Sequence, residues 1–99
     1  MGLHLSRDNY QTYRAYRALL DDKLTELMLY AKELCPEAVV EVSATSYEDE
    51  DGHVDIFPPL GLSEEEEERV ELAVAARAGD IFEETGLFIL CAALDPTAK

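Results

Sequence analysis

Two β-type runs facing each other across an acidic turn constrain this chain more than any other feature. Residues 39–47 read Val-Val-Glu-Val-Ser-Ala-Thr-Ser-Tyr, residues 48–52 Glu-Asp-Glu-Asp-Gly, and residues 53–57 His-Val-Asp-Ile-Phe. Such runs on either side of a turn that ends in glycine are a hairpin signal. Strand side chains alternate with period two. Val40, Val42 and Ala44 therefore share one face of the first strand, and Glu41, Ser43, Thr45 and Tyr47 the other. On the second strand Val54 and Ile56 share a face, opposite His53, Asp55 and Phe57. One aliphatic and one mostly polar face predict a hairpin covered on a single side. Pro58 and Pro59 end the second strand, because neither can donate to a ladder.

A long helix is predicted before the hairpin. Asp8 with Gln11 forms a capping-box pattern, Ser6 being the competing cap. Tyr10, Tyr13, Leu20, Leu24, Leu27, Ala31 and Leu34 recur at steps of three and four, with Arg17 in the one gap and Leu19 and Met28 widening the stripe. No Gly or Pro interrupts residues 8–35, and Pro36 stops the helix. At about 1.5 Å per residue such a helix runs about 40 Å. That exceeds what short strands cover, so part of it is expected to meet something else.

After the connector Leu60-Gly61-Leu62, Ser63 caps a second helix with Glu66 at the reciprocal position. Val70, Val74, Ala78, Ile81, Phe82 and Thr85 give its apolar stripe, while Ala73, Ala75, Ala76 and Gly79 leave the rest of its surface small enough for close approach. Gly79 costs about 1 kcal/mol relative to alanine there, and marks close packing or a bend. Gly86 suits the left-handed position that ends a helix. Residues 87–94, Leu-Phe-Ile-Leu-Cys-Ala-Ala-Leu, form a last strand apolar on both faces and expected to be buried on both, before Asp95-Pro96 ends it.

These elements define one α+β domain over residues 1–99, in the order α-β-β-α-β. The sheet is expected to be three-stranded and mixed, a hairpin plus one parallel crossover strand, with two helices covering one face. A βαβ crossover is right-handed, which sets the last strand parallel to the second. A tight hairpin leaves it no place but an edge, and an apolar edge is a liability unless covered. A homodimer or larger assembly is therefore expected, through the last strand or through the outer half of the first helix. The heptad-like stripe from Leu20 to Leu34 makes that helix a candidate contact.

Charge narrows the partners. Twenty-two acidic residues against eight basic ones give a net charge of −14. Such a field opposes nucleic acid and anionic membranes, whose binding needs Lys or Arg; a basic protein remains a possible partner. With 47% hydrophobic residues the chain is not disordered by composition. Cys35 and Cys91 lie in apolar runs, as expected of reduced, non-catalytic thiols in a cytoplasmic protein. The first residues carry no basic segment followed by an apolar stretch, so no signal peptide is expected.

One cluster has the residue types for chemistry. Asp49, Asp51, His53 and Asp55 alternate through the turn into the second strand, and Glu41, Ser43 and Tyr47 lie opposite. Imidazole with carboxylates can hold a divalent metal, for which Asp49, Asp51, His53 and Asp55 are the candidates. It can also form a general acid–base pair, for which His53, Asp55 and Glu41 are the candidates. The spacing lacks the glycine and distal glutamate of an EF-hand, and the solvated acidic tip is the reading preferred. Tyr10, Tyr13 and Tyr16 with Arg14 and Arg17 form the one basic-aromatic patch, explained by an amphipathic helix start. The run Glu64 to Glu68 offsets a helix dipole and cannot converge on one ion.

Strand, helix and strand, with a carboxylate on the first strand, resemble half of a nucleotidyltransferase-type domain in topology alone. The Gly-Ser pair and paired aspartates of such enzymes are absent, and no activity is carried over. No GxGxxG, P-loop, HExxH or GxSxG occurs. No cofactor is expected. The preferred function is a non-catalytic interaction or regulatory module, of the antitoxin, immunity or charge-mimic kind. A small enzyme or metal-binding protein using His53 and Asp55 is the second reading. A salt-adapted domain whose acidity serves solubility is the third, given three lysines against 22 acidic residues.

Overall fold

The structure is a computed structural model and describes residues 7–45 and 48–94. Its elements are α1 (Arg7–Leu34), β1 (Val39–Ser43), β2 (Gly52–Phe57), α2 (Glu64–Thr85) and β3 (Ile89–Ala93). The strand order is β1-β2-β3, with β1 antiparallel and β3 parallel to β2. The α-β-β-α-β architecture, with β3 at an edge, is the one the sequence predicts.

The core follows from the helical spacing. Leu20, Leu24, Leu27 and Ala31 of α1 are buried, as are Val70, Val74, Ala78 and Ile81 of α2. They meet Val54, Ile56 and Ile89 from one face of the sheet. In the hairpin Val40 lies opposite Ile56 and Val42 opposite Val54, so the aliphatic positions coincide as expected. The helices are tied to each other as well as to the sheet. Arg77 of α2 stacks on the Tyr30 ring at 4.5 Å and bonds Glu26 of α1 at 3.2 Å. The hydrogen bond from Lys23, helped by Arg77, holds the Glu26 carboxyl below its ordinary range.

Both helix ends have identifiable stops. Lys32 Nζ donates to the carbonyls of Pro36 (2.9 Å) and Ala38 (2.6 Å), satisfying acceptors just beyond α1. Ser63 Oγ accepts the Glu66 amide at 3.1 Å, and Gly86 (φ 81°) ends α2 in the left-handed conformation.

Several expectations change in detail. Helix α1 begins at Arg7, so Asp8 lies inside its first turn instead of capping it; the competing cap Ser6 is outside the described residues. The stripe from Leu20 to Ala31 is consumed by the protein's own core, whereas Leu34 and Tyr13 are exposed. That stripe is thus not surplus surface for another chain. Residues 12–19 are exposed apart from the half-buried Arg17, which is where α1 overruns the sheet. Gly52 opens β2, and β1 ends at Ser43, short of Tyr47. β3 is not buried on both faces: Ile89 is buried, but Leu90 is 44% exposed, because both helices lie on the other side.

Gly79 is a further difference. A Cβ built there meets nothing within 4 Å, so no close packing inside the chain requires glycine. Gly79→Ala is expected to stabilise the isolated fold by about 1 kcal/mol, the helix-propensity difference. A denaturation midpoint that fails to rise would overturn this reading of Gly79. Among the described residues no helix is long and apolar enough to cross a membrane.

Candidate functional site

The hairpin's polar face is assembled largely as its alternation implies. Glu41 lies opposite Asp55 and Ser43 opposite His53, while β3 places Leu90 beside His53 and Ala92 beside Asp55. The candidate acid–base residues His53, Asp55 and Glu41 therefore share one open sheet face. Ser43 Oγ accepts the Thr45 amide at 3.0 Å, a local turn bond. Tyr47 lies outside the described residues.

The acidic tip does different work from that expected of a metal loop. Asp51 Oδ1 accepts the Tyr16 hydroxyl at 2.7 Å, and Oδ2 accepts the Phe88 amide at 2.7 Å. The Asp51 amide in turn donates to the Phe88 carbonyl at 2.7 Å. This one residue fastens the tip to α1 and to the entry of β3. Glu50, which sequence reasoning did not single out, is only 4% exposed. Its Oε1 accepts the Glu48 amide at 3.1 Å, and its Oε2 lies 3.8 Å from His53 Nδ1. Asp49 is exposed. Among the described residues no three His, Cys, Asp or Glu side chains come together to hold a metal ion. The metal candidates Asp49, Asp51, His53 and Asp55 are therefore not converged.

Within the basic-aromatic patch, Tyr16 has a structural partner. Its ring lies 6.4 Å from that of Tyr13, and its hydroxyl is spent on Asp51. That bond, then burial, raises the phenol above its ordinary range.

The most distinctive surface lies at the other edge of the sheet. Ala75, Ala78, Gly79 and Phe82 of α2 and residues 88–91 line a groove of about 400 Å³. Every residue in it is apolar or cysteine. Phe82 and Phe88 meet edge to face at 6.2 Å and close one end. The sequence assigns Phe82 to the buried stripe of α2, but it is 52% exposed. Its ring packs on Phe88 at the rim and not into the core. The run of small residues on α2 was the sequence signal for this groove, and the apolar edge of β3 completes it.

Cys91 lines the groove, half-buried, and burial followed by the Glu71 carboxylate pushes its thiol up to about 12. Cys35 is buried, and both are free thiols. At neutral pH a thiol reagent should label the native protein at least about tenfold more slowly than the unfolded chain, because the Cys91 thiolate is scarce and Cys35 is buried. Rapid native labelling would overturn this.

Comparison of the chain with protein-family models, with curated proteins and with solved structures returned no match in any of the three.

Proposed function

We propose that this chain is a non-catalytic protein-interaction module that docks through the edge of β3 and the groove beside it. The observation that carries the reading is an apolar groove running along a sheet edge in a protein of charge −14. An open edge offers backbone hydrogen bonds, and an adjoining groove offers pockets for side chains, which is how strand-addition interfaces work. The acidic surface outside the groove favours a partner whose remaining surface is basic, as in an inhibitor of the antitoxin or immunity kind or a charge mimic. Two free thiols fit a reducing compartment such as the cytoplasm.

The test uses wild type and a Phe82→Asp/Leu90→Asp variant as baits in a lysate of the source cells. Both side chains are largely exposed, so the variant should fold, which circular dichroism checks. Proteins held by wild type should be lost by this variant and kept by His53→Ala/Asp55→Asn. Equal retention by all three would place binding elsewhere and overturn the reading.

A further inference from the structure

We propose that a second copy of this chain occupies the groove, the two β3 strands pairing antiparallel about a two-fold axis at Leu90. The sheets then join into one six-stranded sheet. This rests on the reading of the β3 edge as a docking surface and names a second copy as its resident occupant, which a partner with a basic surface would have to displace.

Charge selects the occupant. Residues 85–94 contain no Asp, Glu, Lys, Arg or His, in a chain that otherwise carries −14. Two copies repel wherever their acidic surfaces meet, and this edge is where they meet without carboxylates in the strand. A basic segment would fit the groove poorly, since no carboxylate lines it and the one beside it, Glu71, is already engaged by the Ala93 amide, so a buried cation would go unpaired. A neutral apolar strand is complementary, and β3 itself is one. A two-fold contact needs such a self-complementary patch.

Backbone bonds select the register. The Phe88 carbonyl accepts from Asp51 and the Leu94 amide donates to Ile56, so even-numbered positions face β2. By alternation the backbone N–H and C=O groups of Leu87, Ile89, Cys91 and Ala93 point away from β2, toward the open edge. Two of these amides are already engaged: Leu87 donates to Thr85 Oγ1 at 3.1 Å, and Ala93 to Glu71 Oε2 at 2.8 Å. Ile89 and Cys91 remain to meet a partner strand. An antiparallel register centred on Leu90 sets Ile89 opposite Cys91 of the second copy, and the reverse, each a hydrogen-bonded pair. It leaves the Thr85 and Glu71 bonds intact. A register centred on Cys91 would instead set Ala93 opposite Ile89 and compete with Glu71.

The helix contributes the rest of the contact. Leu72, Ala75, Gly79 and Phe82 recur at steps of three and four along one side of α2, and all are exposed. Joining the sheets at β3 brings the two copies of this side together, where the alanine and glycine allow close approach. Two strand edges are removed and a Phe-lined groove is closed in each copy. Because each copy is strongly acidic, added salt should tighten the dimer by screening their repulsion.

Sedimentation equilibrium at micromolar concentration tests the mass, with a dimer expected that tightens several-fold as salt rises from about 0.05 to 0.5 M. Leu90→Cys tests the register. Its two copies would face each other as a non-hydrogen-bonded pair, with Cβ atoms about 4.5–5.5 Å apart, and should form a disulfide-linked dimer under mild oxidation. Ala92→Cys and wild type should not. Phe82→Asp, on an exposed helical position, should weaken association at least tenfold without loss of helix signal. A monomer for wild type in both salts would overturn the proposal, and cross-linking through Ala92→Cys in place of Leu90→Cys would overturn its register. A monomeric wild type whose captured proteins are still lost on mutating Phe82 and Leu90 would leave the docking surface standing with a different occupant. A dimer whose captured proteins survive that mutation would do the reverse.

Discussion

Gly52→Ala should destabilise the fold by roughly 1–3 kcal/mol, the range for forcing a methyl group into filled space. Gly52 does not have positive φ, so backbone conformation is not what reserves the position for glycine. Space is. A Cβ there would lie 2.7 Å from the Ser43 carbonyl oxygen and 3.4 Å from Leu24 Cδ2. The leucine belongs to the core, and the oxygen belongs to β1 at the residue paired with His53. Relief therefore requires either parting the end of the hairpin or displacing α1. Gly86→Ala is the informative comparison, because its cost arises from φ of 81° with no neighbour within 4 Å. Urea denaturation should give a clearly lower midpoint for Gly52→Ala than for wild type at unchanged slope. An unchanged midpoint would mean that the hairpin end yields freely and does not anchor β2.

This glycine shows where sequence reasoning reaches its limit. The hairpin, the two helices and the parallel crossover were legible because alternation, helical spacing and caps are local signals. Val54 and Ile56 had to share a face, and Ser63 with Glu66 had to open a helix. Gly52 was legible as glycine but not as a contact, since the crowding comes from the Ser43 carbonyl across the hairpin and from Leu24, far away in the chain. The polar row of Glu41, Ser43, His53 and Asp55 followed from alternation alone. What Asp51 does was not legible, because its partners Tyr16 and Phe88 lie 35 and 37 residues away. Phe82 and Leu90 illustrate the same limit in the opposite sense. Their spacing and hydropathy match a core, and only the placement of both helices on one sheet face leaves them in water. The same pair then borders the groove proposed for docking. The second strand face looked like a requirement for burial and is, in the isolated chain, surface.

Asp51→Ala should cost roughly 2–3 kcal/mol. Hydrogen bonds to a charged group contribute about 1.5–3 kcal/mol each when sheltered. Asp51 accepts two, from Tyr16 and from the Phe88 amide, and both are partly exposed, so water recovers some of the loss. The backbone bond from Asp51 to Phe88 survives the substitution but loses the side chain that holds its geometry. Two further variants separate the arms. Tyr16→Phe removes one bond and should cost about 1 kcal/mol, with little added effect once Asp51 is alanine. Asp51→Asn keeps an acceptor for one donor and should fall between. The Tyr16 bond also has a pH signature. Its phenol is raised above 10.0 chiefly by the hydrogen bond to Asp51, so the folded state favours the protonated donor. That contribution is complete below the ordinary tyrosine pKa and is lost as pH rises through the higher folded value. Wild type should therefore lose stability in strong alkali by an amount that Tyr16→Phe does not. Parallel alkaline curves for the two proteins, or an Asp51→Ala midpoint equal to wild type, would remove Asp51 from its place as the fastening between α1, the hairpin and β3. Loss of that fastening also predicts a consequence at the groove. Phe88 is held at the entry of β3 by Asp51, so its edge-to-face contact with Phe82 should loosen, and Asp51→Ala should weaken docking at β3 without touching the groove itself.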